Sequence, residues 1–189
     1  MKFLKPLLAL ALLAPTFAIA QDVWKSDPPH SRLSFTIDHL AINEVSGVFD
    51  KFDVTVVATK ADFSDATFEL TVDVASIDTD VEKRDNHLRS PDFFEVQKFP
   101  SMTFKSASIK PAGKDRFKLT GDLTLHGKTQ TVTMDLWHRG VTNNQGKSVA
   151  GFQLTGTLKR SDFGVGPKFP PPMVGDVVSI KADGEFIKQ

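Results

Sequence analysis

The 189-residue sequence contains no cysteine and no tyrosine. Without cysteine there are no disulfides, no thiolate metal ligands and no thiol nucleophile, so the fold must be held together by its core. The same absence excludes the lipid-anchored class of exported protein, which needs a cysteine directly after its cleavage site. With sixteen Phe and no Tyr, the aromatic surface carries no phenolic hydroxyls to satisfy, which suits a wholly apolar environment. An excess of one charge is lacking too. Lys plus Arg and Asp plus Glu each count 23, and no basic stripe marks a nucleic-acid partner.

Long hydrophobic runs are scarce. The run LLALALLA at 7–14 is too short to span a bilayer, follows Lys2 and Lys5, and precedes Ala18-Ile19-Ala20, a small-x-small cleavage pattern. The expectation is a cleaved export signal over 1–20, a periplasmic destination, and a single domain over 21–189 with no transmembrane segment.

What the rest of the chain has is period-two alternation. Leu33, Phe35 and Ile37 share one face against Ser34, Thr36 and Asp38. Phe68, Leu70, Val72 and Val74 oppose Thr67, Glu69, Thr71 and Asp73. The same grammar runs through Phe52, Val54 and Val56, then Met102 and Phe104, and continues to Ile180 and Phe186, which gives eight or nine half-buried antiparallel strands. Turn chemistry at 112–115, 126–128 and 142–146 separates them. Such strands resolve their edges as a sandwich or by closing into a barrel. Gly121, Gly156, Ala182 and Gly184 fall in phase with the large apolar residues and predict a barrel with room inside, so Gly121→Leu is expected to block it.

Two segments break the alternation. Over 84–100, RDNHLRSPDFFEVQKFP, the expectation is one or two short helices: Thr79-Asp80-Val81-Glu82 fits a capping box, and Ser90-Pro91-Asp92 starts a second turn. Over 164–176, GVGPKFPPPMVGD, three consecutive prolines predict a stiff loop, either a surface connection or the wall of a portal.

Catalytic and phosphate-binding signatures are sparse. Gly121 to Thr129 and Gly140 to Ser148 imitate a phosphate loop but space their glycines by five residues rather than four, and lead into strand, so they read as hairpin turns. There is no Gly-x-Ser-x-Gly elbow, and the five histidines form no i, i+4 zinc pair. His126, beside a turn glycine, and His138, at a strand end, read as surface or capping groups. His39 shares the inward parity of Ile37 and is either a hydrogen-bonded core histidine or a contact to a ligand's polar end. Arg160 is next in phase after Leu158, with Asp162 two further on. It either pairs with an acid that closes the barrel or meets an anionic or carbonyl head group.

Taken in order, His30-Ser31, Phe35, His39, Gly47-x-Phe49, Ser76-Ile77-Asp78-Thr79, Arg84-Asp85-x-His87-Leu88, Asp92-Phe93-Phe94, Phe99-Pro100, Phe104-x-Ser106, Gly121-Asp122-Leu123-Thr124 and Arg160-x-Asp162-Phe163-Gly164 resemble the YceI family of lipid-binding proteins. The resemblance implies an all-β, mainly antiparallel fold: a lipocalin-like eight-stranded barrel with short helices inserted near mid-chain. It further implies binding of a polyisoprenoid, an isoprenoid quinone or a similar amphipathic lipid in an apolar tunnel, and a monomer or homodimer in the periplasm.

The expected function is therefore binding, transport or sequestration of a long lipophilic molecule. No catalytic residue, metal or catalytic cofactor is expected. The expected tunnel lining is Phe35, Ile37, Phe52, Val54, Phe68, Leu70, Phe93, Phe94, Phe104, Leu119, Val132, Met134, Phe152 and Ile180, with His39, Arg160 and Asp162 as head-group candidates. The alternatives are an enzyme acting on an isoprenoid or quinone in the same pocket, and an envelope-stress scavenger of hydrophobic toxins or antibiotics.

Overall fold

Alternating segments pair into one closed sheet in the computed structural model, which describes residues 21–189. The expected export signal at 1–20 lies outside the described residues. The strands are β1 (Asp22–His39), β2 (Asn43–Phe49), β3 (Phe52–Ala58), β4 (Thr67–Asp73), β5 (Ile77–Asp78), β6 (Ser101–Gly113), β7 (Arg116–Leu125), β8 (Lys128–Asn144), β9 (Lys147–Lys159) and β10 (Val174–Lys188). All of the strand pairings are antiparallel. β2 and β3 both pair with β1, as two halves of one barrel strand interrupted at Asp50-Lys51. β4 and β5 likewise form one strand around a 3-10 turn at Val74–Ser76. The result is an eight-stranded up-and-down barrel, sealed where β1 meets β10 through pairs such as Leu33 with Ala182 and Phe35 with Ile180. Closure leaves no free edge, which settles barrel over sandwich.

The hairpins follow the turn residues. β7 and β8 are joined by His126-Gly127 at φ 52° and 72°, and β8 and β9 by Gln145-Gly146 at φ 52° and 83°. Two consecutive residues of positive φ make the turn whose twist matches the flanking strands. Both phosphate-loop imitations are thus hairpins. The seam between β1 and β10 slips register between Ser26 and Ser31, where Asp27-Pro28-Pro29-His30 bulges outward. Prolines cannot donate to a ladder, so the sequence itself enforces the bulge.

The mid-chain interruption holds one helix, α1 (Glu82–Arg89), and not by the predicted cap. Val81 occupies the cap position without a side-chain bond. Thr79 instead turns to Asp85, whose buried carboxylate accepts from both the Thr79 amide and its hydroxyl, while Arg84 bonds the Thr79 carbonyl and hydroxyl. A carboxylate that takes two donors outcompetes the weaker box. The segment after Ser90 forms consecutive turns rather than a second helix, tied by bonds such as the Phe94 amide to the Leu88 carbonyl at 3.0 Å.

The core divides in two along the barrel. One end is packed solid by an aromatic cluster in which Phe63 meets Trp24 and Phe152 at 5.4 and 5.1 Å between centroids, and Phe152 meets Phe68 and Phe186 at 5.4 and 5.3 Å. His138, expected at the surface, belongs to this cluster. It is 8% exposed, 4.6 Å from the Phe63 ring, and its Nε2 has no hydrogen-bond partner among the described residues. It lies on the inward phase of β8 with Leu136, which outweighs its closeness to the hairpin. Burial pushes its imidazole below the ordinary value of 6.5 against the opposing charge of Asp115.

The unfolded chain therefore binds more protons below that value. The histidine's contribution to stability is complete above 6.5 and is lost as pH falls beneath it. Urea denaturation between about pH 7.5 and pH 5 should show stability falling with pH, and His138→Phe should flatten that dependence. Parallel curves for the two proteins would remove this account of His138.

Candidate ligand-binding cavity

Beyond the aromatic end the barrel does not fill. A cavity of about 240 Å³ lies along its axis, with walls that are almost entirely carbon. All fourteen apolar positions expected to face a tunnel border it: Phe35 and Ile37 from β1, Phe52 and Val54 from β3, Phe68 and Leu70 from β4, Phe104 from β6, Leu119 from β7, Val132 and Met134 from β8, Phe152 from β9, Ile180 from β10, and Phe93 and Phe94 from the turns after α1. Parity places the twelve strand residues there. In a closed sheet with one buried face, every second residue has no other destination. Leu154, Leu158 and Ala182 share that parity and also border the cavity, as do Met102, Leu123 and Leu125.

Small residues shape the wall selectively. Ala182 leaves space in it. Gly47 lets the Phe35 ring lie against the backbone, since a side chain there would come within 2.5 Å of the Phe35 ring. Gly121, expected to leave room inside, does something else. A side chain on it would meet the Phe104 ring at 2.6 Å and the Ser106 backbone at 2.7 Å, beside a register slip in β6, and it does not border the cavity. Gly121→Leu would damage the sheet rather than plug the interior.

The other end is covered by α1, the turns that follow it, a single helical turn α2 (Arg160–Phe163), and the loop at 164–173. Phe93 and Phe169 stack at 4.7 Å with rings 8° apart, joining the two coverings. Outside them Lys168 donates to Asp92 at 2.6 Å, and His87 lies 3.2 Å from the same carboxylate. Those two contacts hold Asp92 below the usual carboxylate range. Val165 and Val174 border the cavity, so the proline-rich loop is part of its wall.

Arg160 organises this cover. It begins α2, which Gly164 terminates in the left-handed conformation at φ 71°. Its guanidinium is buried and gives all five N–H groups to backbone carbonyls: Nε to Gly175 at 2.8 Å, Nη1 to Val165 at 2.9 Å and Gly166 at 2.7 Å, Nη2 to Val174 at 2.8 Å and to Phe169. A fork of five donors matches a curved loop that presents five carbonyls. Neither sequence reading of Arg160 describes this. It forms no ion pair with an acid among the described residues, and although it borders the cavity, no donor is left for a head group.

The two remaining head-group candidates lie outside the cavity. His39 is exposed because β10 slips against β1 between Ile37 and His39, which ends the inward parity at the barrel rim. Asp162 is exposed on α2, with its backbone carbonyl accepting from Gln130 at 3.3 Å. His39, Arg160 and Asp162 are therefore not assembled around a common point. Besides Arg160, the polar residues that border the cavity are Ser31, Ser34 and Asp183, at the β1–β10 seam. Ser31 keeps the inward parity of Leu33 and Phe35, whereas Ser34 and Asp183 lie off the inward parity of their strands.

The profile of the YceI-like domain matches residues 24–186. UPF0312 proteins of Staphylococcus aureus strains MSSA476 and MW2 are each 38% identical over 166 residues, covering 85% of this chain and 94% of theirs. Among solved structures, BcnA of Burkholderia cenocepacia superposes with a TM-score of 0.75 at 30% identity, over 85% of this chain and 98% of that one. A Campylobacter jejuni YCEI protein gives 0.74 at 30% identity, over 81% and 90%. A polyisoprenoid binding domain from Saccharophagus degradans shares the fold, with a TM-score of 0.65 at 15% identity over 91% and 100%.

Proposed function

We propose that this chain, which belongs to the family of YceI-like domains, is a carrier that binds and sequesters one long lipophilic molecule inside its barrel. The observation that carries the reading is the cavity itself: about 240 Å³ of apolar space closed at one end by packed aromatics. Close-packed interiors do not leave such volume without cost, because lining atoms facing a void lose their dispersion contacts. An alkyl chain restores them and leaves water at about 0.8 kcal/mol per CH₂. A few isoprene units outweigh the cost of immobilisation without any strong polar contact.

The cargo we propose is a polyisoprenoid or the tail of an isoprenoid quinone, taken up after export to the periplasm. A wall of Phe, Leu, Ile and Met reads width and length more than head-group chemistry, so related long amphipathic lipids should also bind. The polyisoprenoid binding domain that shares this fold supports the cargo class. An enzyme acting in the same pocket is the weaker reading, because two of the three polar head-group candidates on which it would also have to draw, His39 and Asp162, lie outside it.

The test is native mass spectrometry of the protein isolated from its own host, followed by organic extraction. One lipophilic molecule per chain is the expected result. Protein that comes out empty and takes up neither added polyprenol nor added quinone would overturn the reading.

A further inference from the structure

A second site lies on the outside of the barrel, where β1 bulges away from β10. Asp27 and His30 belong to the bulge and Glu185 to β10, and one ligand atom from each lies within 4.8 Å of the other two. Asp27 Oδ2 is 2.7 Å from His30 Nδ1, and the Ser31 hydroxyl donates to the Glu185 carbonyl at 3.5 Å. We propose that Asp27, His30 and Glu185 bind a divalent cation of the zinc class, which staples the β1 bulge to β10 across the seam that closes the barrel.

Three features of the site favour a cation. First, the fold brings Glu185 of β10 across a long-range junction to Asp27 and His30, which lie three residues apart in the β1 bulge. Second, neither carboxylate has a Lys or Arg partner among the described residues. Asp183, two residues away on the same strand, has Lys181 at 3.0 Å and Arg139 at 3.7 Å, and Asp22 has Lys188 at 2.7 Å. Among the described residues Asp27 pairs only with His30, and Glu185 forms no ion pair. Third, Pro28 and Pro29 restrict the backbone between Asp27 and His30, so ordering these two ligands costs little conformational entropy.

The donor set selects the ion. One imidazole with two carboxylates suits zinc and its neighbours, whereas calcium and magnesium take oxygen ligands. Three protein ligands leave a position for water. Ser31 and Gly184, chain neighbours of His30 and Glu185, border the cavity, so the ion would brace the wall where β1 and β10 lose register between Ser26 and Ser31. This inference does not depend on the carrier reading.

The test is titration of the protein with Zn²⁺ by calorimetry, alongside long-range ¹H–¹⁵N spectra of its imidazoles. Saturable binding of one ion per chain is expected, with His30 the first of the five histidines to shift. Glu185→Gln and His30→Ala should each weaken binding by about 10- to 100-fold or more, the range seen even for groups that only support metal ligands. Zn²⁺ should also raise the melting temperature of the wild type, and not of Glu185→Gln. Absence of saturable binding, an unchanged affinity in Glu185→Gln, or a first shift at another histidine would each overturn the proposal. The imidazole spectra need no variant, so a variant that failed to fold would still leave a decisive result.

Discussion

Arg160→Met should destabilise the protein by about 3–5 kcal/mol, the largest effect expected of any single substitution outside the aromatic cluster. Arg160 is 8% exposed and is the common donor for five carbonyls spread over residues 165–175. A typical hydrogen bond contributes about 1 kcal/mol net, but one made by a charged group contributes about 1.5–3. Methionine fills similar space and offers no donor. Carbonyls that stay buried then lose their partner outright, and those that escape to water do so by unfolding the loop. Arg160→Lys keeps the charge but has three donors on one nitrogen, so at least two carbonyls go unserved and its stability should fall between the two. Urea denaturation is the direct measurement, and roughly 2–4 °C of melting temperature should be lost per kcal/mol. A bound lipid should leave Arg160→Met faster than the wild type, because the loop that Arg160 holds is part of the cavity wall. Wild-type stability in Arg160→Met would mean that the loop is held by its prolines and the Phe93–Phe169 stack alone.

This residue marks the limit of what the sequence shows. Period-two parity identifies which side of a strand faces inward, and it was enough to place twelve strand residues around a cavity whose shape it could not describe; Phe93 and Phe94 reach it from the turns after α1. Parity brought Arg160 inward for the same reason. What Arg160 meets there was not legible, because its partners are backbone carbonyls, and backbone carbonyls have no letter in a sequence. His39 fails differently. Its parity is right along β1 and it stays paired with Val174 and Asn43, but the β10 register slips after Ile37 at the barrel rim, where His39 is exposed. At Thr79 the residue spacing of a capping box was present, yet Asp85 sat one helical turn further on and took the threonine's donors for itself. Gly121 shows that a small residue in phase has two uses: making room for a ligand, or admitting a neighbouring backbone. Only contact geometry tells them apart, and here the neighbour is β6.

Ala182→Phe should therefore do what Gly121→Leu cannot. Ala182 sits in mid-strand between Leu33 of β1 and Leu154 of β9, and its side chain faces open cavity rather than backbone. A benzyl group there occupies space that a lipid chain would otherwise fill. If it displaces one five-carbon isoprene unit, the lost burial is roughly 4 kcal/mol, which is close to a thousand-fold in affinity. The fold should tolerate the change to within about 1.5 kcal/mol, because the added carbon enters space that is already apolar and empty. Uptake of a fluorescent polyprenol or quinone analogue, measured beside a urea denaturation curve, separates the two effects. Lost uptake with retained stability would locate the ligand in this cavity. A stable Ala182→Phe protein that binds the analogue as tightly as the wild type would show that the lipid sits elsewhere, and the carrier reading would then have to rest on a different surface of the barrel.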